Sequence, residues 1–185
     1  METELKFQIP PARSAALRRA MATASARTVR LQALYADTAD QRLAAAGLAL
    51  RLRKEGRVWV QTLKGRGDGL MRRLEHEVRL PPQRGTPALD PQRHAGTPVG
   101  ELLAVALAQA GEGSAELHTL YRTDIRRLHR HVRHGGAVIE IAHDHGRISA
   151  DGRSVAVDEI EFELVSGPPA ALPALAARWV ARFGQ

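Results

Sequence analysis

Polar and apolar residues alternate along most of this chain, and that period of two predicts strands. Glu2 to Ile9 alternates charged with apolar residues and stops at Pro10 and Pro11. Ala12 to Ala22 is rich in alanine and arginine, has no breaker, and predicts a helix. A strand follows from Thr28 to Ala36, then a short helix capped by Thr38 and ended by Gly47. Leu48 to Lys54 and Val58 to Lys64 alternate again on either side of Glu55-Gly56-Arg57, which predicts a hairpin. Gly65 to Gly69 reads as a loop and Met71 to Leu80 as the next strand. Pro81 to Pro98 carries the turn residues of a long loop, and Val99 to Ala110 predicts an apolar helix. Further strands are expected over Leu117 to Val132, Ala137 to Ala142 and Ser154 to Val165, with a last helix over Ala170 to Arg182. No fixed-period repeat is present. About eight strands with three or four helices indicate an α+β fold on a mainly antiparallel sheet.

One face of nearly every predicted strand is charged. Side chains alternate across a strand, so Glu2, Glu4 and Lys6 share a face, as do Arg51 with Arg53, Thr62 with Lys64, and Glu75 with Glu77 and Arg79. Glu140 aligns with Asp144 if its strand extends that far, and Glu159, Glu161 and Glu163 form an acidic row. The opposite faces are apolar: Leu5, Phe7 and Ile9; Leu50 and Leu52; Trp59 and Leu63; Ile139 and Ile141; Ile160, Phe162 and Leu164. Helices can cover the apolar faces. The charged faces either meet water as an open amphipathic sheet or line the inside of a closed barrel. Adjacent carboxylates on one strand repel, and inside a barrel acids can hold a divalent metal while bases hold phosphate. The pattern alone leaves both arrangements open.

Composition narrows the setting. The chain has 185 residues, enough for one domain with a core, and no cysteine, so disulfides and thiolate metal sites are excluded. No apolar run approaches a membrane span, and METELKF is not a signal peptide, which points to a cytoplasmic protein. The net charge of +7 fits a polyanionic partner or a solvated arginine-rich surface. The histidines at 129, 131, 134, 143 and 145 can be read as a zinc site, but exposed histidines around a Gly135-Gly136 turn are the better reading. The glycines at 65, 67 and 69 lack a following GKS or GKT, so they are not a P-loop.

The N-terminal Glu2-Thr3-Glu4-Leu5-Lys6 resembles the ExExK signature of the CYTH superfamily, the triphosphate tunnel metalloenzymes. The later elements follow in the family's order: Arg51 and Arg53, a strand ending at Lys64, Glu75 and Glu77, Arg122, Glu140 with Asp144-x-Gly146, and Glu159-Ile160-Glu161-Phe162-Glu163. The resemblance runs from Glu2 to about Gly167. It is closest to the bacterial inorganic triphosphatase branch, where stretches like WVQTLKG recur. It implies a single domain whose eight-stranded antiparallel closed β-barrel forms a triphosphate tunnel with covering helices. It implies Mg²⁺ or Mn²⁺, with Glu2, Glu4, Asp144, Glu161 and Glu163 as metal-holding residues. It implies Glu2, Glu4, Lys6 and Glu161 as the catalytic set. Lys6, Arg51, Arg53, Lys64, Arg122 and Arg126 are then the phosphate contacts, with Glu75 and Glu77 beside them.

The expected activity is hydrolysis of inorganic triphosphate to pyrophosphate and phosphate. Thiamine triphosphatase and class IV adenylyl cyclase share the barrel and stand as alternatives. A non-catalytic polyphosphate- or RNA-binding module is a further one, and it leaves the many carboxylates without a use. Only 4% of residues are aromatic, which speaks against nucleic acid. By alternation Phe7, Trp59, Tyr121 and Phe162 are expected to point away from the charged face, leaving Tyr35 as the one candidate to stack on an organic substrate. The family often joins this domain to a helical CHAD domain associated with polyphosphate, so the chain is expected either to stand alone or to be part of such a protein.

Overall fold

The structure is a computed structural model that describes residues 2–67, 71–109 and 115–184. The strands are β1 (Glu2–Gln8), β2 (Arg27–Thr38), β3 (Ala49–Glu55), β4 (Val58–Arg66), β5 (Arg72–Arg79), β6 (Leu117–His134), β7 (Ala137–Ala150) and β8 (Arg153–Ser166). The helices are α1 (Pro11–Met21), α2 (Arg42–Ala45), α3 (Pro98–Ala108) and α4 (Ala171–Phe183). The eight strands are hydrogen-bonded in the order β1-β5-β4-β3-β2-β6-β7-β8 and close into an antiparallel barrel. This is the fold that the sequence resemblance implies, where the charged strand faces alone leave an open sheet equally possible, and closure leaves no free sheet edge.

Most elements lie within a few residues of their expected bounds. β7 is the clearest difference, running to Ala150 rather than stopping at Ala142, because His143, Asp144 and His145 continue the alternation as polar residues. The long proline-rich loop contains one 3-10 turn, Pro91–His94, started by the Asp90 side chain accepting from the Gln92 N–H at 2.9 Å. α2 is shorter than expected. Its N-cap is Gln41 rather than the expected Thr38, although the Thr38 hydroxyl accepts from the Arg42 N–H at 3.0 Å and Asp37 accepts from the N–H groups of Leu43 and Ala44. Gly69 of the expected glycine loop and Ala110 of the expected third helix lie outside the described residues.

The chain divides into two compact units. The first comprises Leu31–Asp124 with Ile148–Ser154 and contains β3, β4 and β5. Its apolar side is built from Leu50 of β3 and Leu63 of β4, both fully buried against Val99, Leu103 and Ala106 of α3, with Leu43 and Leu48. Gly65 packs closely here: a Cβ would stand 3.1 Å from Val99 and 3.2 Å from Leu48, which would have to shift slightly. With Leu50 and Leu63 turned to that core and Leu52 buried on the same face of β3, alternation sends Arg51, Arg53, Thr62 and Lys64 to the other side. The register sets Arg51 opposite Thr62, and Lys64 opposite Glu75.

The second unit comprises Glu2–Arg30, Ile125–Arg147 and Val155–Gln185. Its apolar side stacks Phe7 on Phe162, Phe162 on Trp179, and Trp179 on Phe183, so α4 covers β1 and β8. Leu17 and Met21 of α1 are buried. Gly135 and Gly136, both with positive φ, make the β6–β7 turn. Facing away from this core, Glu4 lies opposite Glu163, Lys6 opposite Glu161, and Gln8 opposite Glu159.

Candidate active site

The second unit gathers the acids. Ligand-capable oxygens of Glu2, Glu4 and Glu161 lie within 4.8 Å of one another, and Glu4 and Glu161 are each only 6% exposed. No other group of this kind occurs among the described residues. Oxygen donors in this number suit a hard divalent cation such as Mg²⁺ or Mn²⁺. Lys6 stands beside the group, with Nζ 3.3 Å from Glu161 and 3.8 Å from Glu159. Burial works against its ammonium, but Glu161, Glu159 and Glu4 outweigh it and raise its pKa.

Asp144 and Glu163 were expected among the metal ligands and lie outside that group. Asp144 is held by Arg127 in a two-pronged contact, Nε to Oδ1 at 2.8 Å and Nη2 to Oδ2 at 2.7 Å. The same Nη2 donates to Glu161 at 2.9 Å. Arg127 therefore orients a member of the acidic group while fixing Asp144 elsewhere. Burial opposes its charge, and the hydrogen bond to Asp144 with the charges of Glu161, Asp144 and Glu140 raises its pKa above the ordinary value. Arg126, one position earlier, projects to the opposite side and is exposed. Arg126 is one of the phosphate contacts expected from the sequence, and Arg127 is not singled out there. In the doublet Arg126-Arg127 only the parity of the strand distinguishes the two, and Ile125, buried on the same side as Arg127, was the available signal.

The first unit gathers the bases, each beside an acid. Arg51 lies 3.7 Å from Glu77, which also accepts from Thr62 Oγ1 at 3.1 Å. Lys64 lies 3.6 Å from Glu75. Arg53 is held by Glu55, two residues along the same strand face, with its Nε donating at 2.8 Å. Burial opposes the Arg51 charge, and Tyr35, then Glu77 and Glu75, outweigh it and raise its pKa. Its buried Nε has no hydrogen-bond partner among the described residues, a donor still available to an oxyanion.

Tyr121 departs from expectation. It stacks on Tyr35, ring centroids 4.6 Å apart and 16° from parallel, and Tyr35 lies opposite Arg51 across β2 and β3. Tyr121 is thus on the charged side, and its hydroxyl pKa is pushed up to about 12 by burial and by Tyr35, against Arg51. Arg122 then points the other way and is exposed, so it does not join Arg51, Arg53 and Lys64. The parity assigned to β6 from its sequence was off by one residue across both units.

The histidines stay outside the acidic group. His129 and His131 both meet Glu140 Oε2, at 3.1 and 3.2 Å. His143 is buried against Asp158 at 2.6 Å on the apolar side. No helix among the described residues is long and apolar enough to cross a membrane.

A sequence model of the CYTH domain matches residues 1–183. Among solved structures, a candidate adenylate cyclase from Bacillus halodurans superimposes with a TM-score of 0.64 at 17% identity, covering 100% of this chain and 90% of that one. A candidate adenylyl cyclase from Hippeastrum, with dominant triphosphatase activity, gives 0.60 at 24% identity, with 100% and 88% covered. The PH1819 protein of Pyrococcus horikoshii gives 0.57 at 17% identity, with 97% and 86% covered. At these identities the likeness establishes the fold.

Proposed function

The chain belongs to the CYTH domain family, and from that premise we propose that it hydrolyses a triphosphate in a divalent-metal-dependent reaction, with inorganic triphosphate as substrate. The observation that carries this reading is the approach of Glu2, Glu4 and Glu161, whose ligand-capable oxygens lie within 4.8 Å of one another and form an oxygen donor set suited to a hard divalent cation. Water attacks the terminal phosphorus, the bridging phosphoanhydride bond breaks, and pyrophosphate leaves with its electron pair. The metal, when bound, neutralises phosphate charge and favours ionisation of the water. Glu2, Glu4 and Glu161 would hold it. Lys6 adds a point charge to a phosphate oxygen. Arg127 is a positioning residue, keeping Glu161 oriented through its Nη2. Arg51, Arg53 and Lys64 bind the remaining phosphate oxygens, exchanging their contacts with Glu77, Glu55 and Glu75 for the substrate.

A second reading is favoured by the Tyr35–Tyr121 stack beside Arg51. An organic triphosphate can place its ring on the free face of one of these tyrosines, and adenylyl cyclase or thiamine triphosphatase chemistry then becomes the alternative. Inorganic triphosphate stays first because each ring already occupies one face of the other. Phosphate and pyrophosphate release from inorganic triphosphate, ATP and thiamine triphosphate, with Mg²⁺, Mn²⁺ or chelator, tests both readings. Turnover of inorganic triphosphate that persists in chelator rejects the metal-dependent mechanism. A higher kcat/KM for either organic substrate selects the second reading.

A further inference from the structure

Arg122 faces the outside of the first unit, where it lines an open groove of about 450 Å³ with Gln32, Lys54, Trp59, Thr86 and Ser149. A second depression of about 340 Å³ adjoins it, sharing Lys54, Trp59 and Thr86 and adding Arg57 and Gln83. Lys54 and Trp59 are partners across β3 and β4, and Lys54 Nζ lies 6.0 Å from the indole centroid. Lys54 alternates with Arg51 and Arg53, so this groove is on the opposite face of β3 from the phosphate-binding bases.

The cations here differ from those on the inner face. Arg51, Arg53 and Lys64 each stand against a carboxylate. Arg57 and Arg122 have no ion-pair partner among the described residues. A solvated arginine-rich surface accounts for exposed cations. It does not account for cations that line two adjoining depressions together with an indole common to both and amide and hydroxyl side chains. A flat ring carrying an anion fits those elements together: the ring against Trp59, the anion on the cations, the ring edge on Gln32, Gln83 or Thr86.

We propose that this outer groove is a second ligand site that binds a free nucleoside phosphate, with the base on Trp59 and the phosphate on Lys54, Arg57 and Arg122. A free nucleotide suits it better than a strand of nucleic acid. The two depressions together offer only three cations, Lys54, Arg57 and Arg122, and the lining includes the acid Asp124, which repels a polyanionic strand.

The test uses AMP, which has no phosphoanhydride bond to hydrolyse, with the full chain in chelator. Calorimetry is expected to give one site. The Glu4→Gln, Glu161→Gln double variant is expected to keep it, so the site stands or falls independently of the triphosphatase reading. Trp59→Leu is expected to weaken AMP about tenfold while leaving inorganic phosphate binding unchanged, and Trp59→Phe to retain most of the affinity with the fold preserved. Arg122→Gln is expected to weaken both ligands and to reduce the salt dependence of AMP binding. Equal affinity for AMP and inorganic phosphate overturns the proposal, as does loss of AMP binding in the Glu4, Glu161 double variant. A ten-nucleotide single strand binding more than tenfold tighter than AMP overturns the free-nucleotide assignment.

Discussion

Glu4→Gln separates electrostatic strain from metal binding by the sign of two melting shifts. The variant keeps the shape of the side chain and removes one charge from the Glu2, Glu4, Glu161 group. Two unit charges 4.8 Å apart repel by about 3.5 kcal/mol at the effective dielectric of a protein, and Glu4 faces two such neighbours. Lys6, whose ammonium feels Glu4, and solvent at half-buried Glu2 cancel most of that. A net relief of about 1–2 kcal/mol remains, which for a chain of this length raises Tm by about 2–8 °C in chelator. Saturating Mg²⁺ or Mn²⁺ acts oppositely. At a hundredfold excess over Kd it stabilises the wild type by about 2.7 kcal/mol, and the variant is expected to lose most of that gain. The assay is thermal unfolding of both proteins in chelator and in metal. The variant melts higher in chelator, and the difference shrinks or reverses in metal. If it melted lower in chelator yet kept the full metal shift, Glu4 would be neither strained nor a ligand.

Arg127→Met is expected to destabilise by about 3–5 kcal/mol in urea, because it leaves buried Asp144 and Glu161 without their shared partner; a loss under 1 kcal/mol contradicts that account. Arg53→Ala is expected to lose about 2–4 kcal/mol of transition-state stabilisation and Arg53→Lys to recover only part, read as kcat/KM; full recovery by lysine rejects two-pronged phosphate contact. His94 is fully buried and its pKa is lowered to about 4 by burial, then by His76 and Arg93. The unfolded chain therefore takes up a proton first, so stability is full above about pH 6.5 and falls as pH drops toward 4. Urea titrations at pH 7 and 5 are expected to show a loss on the order of 1–2 kcal/mol that His94→Gln removes; an equal loss in the variant assigns the effect to other groups. Tyr121→Leu is expected to lower kcat/KM for ATP more than for inorganic triphosphate, and equal effects remove the tyrosine pair from substrate recognition.

The strand faces were legible because the strands alternate cleanly, while closure into a barrel rested on the order of the charged motifs, since an open amphipathic sheet shows the same alternation. Leu50, Leu52 and Leu63 leave no choice of face for Arg51, Arg53 and Lys64, and Phe7 and Phe162 do the same for Lys6 and Glu161. β6 defeated the same reasoning. From Tyr121 to Arg130 arginines occupy both parities, and the buried apolar anchor is a single residue, Ile125. That one shift misassigned Arg122, Arg126 and Tyr121 together and concealed Arg127. The carboxylate group was legible as strand rows. Which members converge depends on cross-strand distances, so the separation of Glu163 and Asp144 from Glu2, Glu4 and Glu161 was not. The Gln61, His76 and His94 contact had no sequence signal, since it joins residues from two strands and a distant 3-10 turn.

If Arg51, Arg53 and Lys64 bind phosphate as proposed, their pairing with Glu77, Glu55 and Glu75 would make that capture an internal exchange. A bare cationic surface sheds ions to the solvent on binding a polyanion, and its affinity collapses as salt rises. Here the displaced counter-ions are tethered carboxylates whose local concentration bulk salt does not alter. Each exchange lowers intrinsic affinity, because a good contact is given up for every one made. In return, retention of a phosphate by these three residues would vary less with ionic strength than on a bare cationic surface. The released glutamates also remain beside the product, ready to reclaim their partners as it leaves.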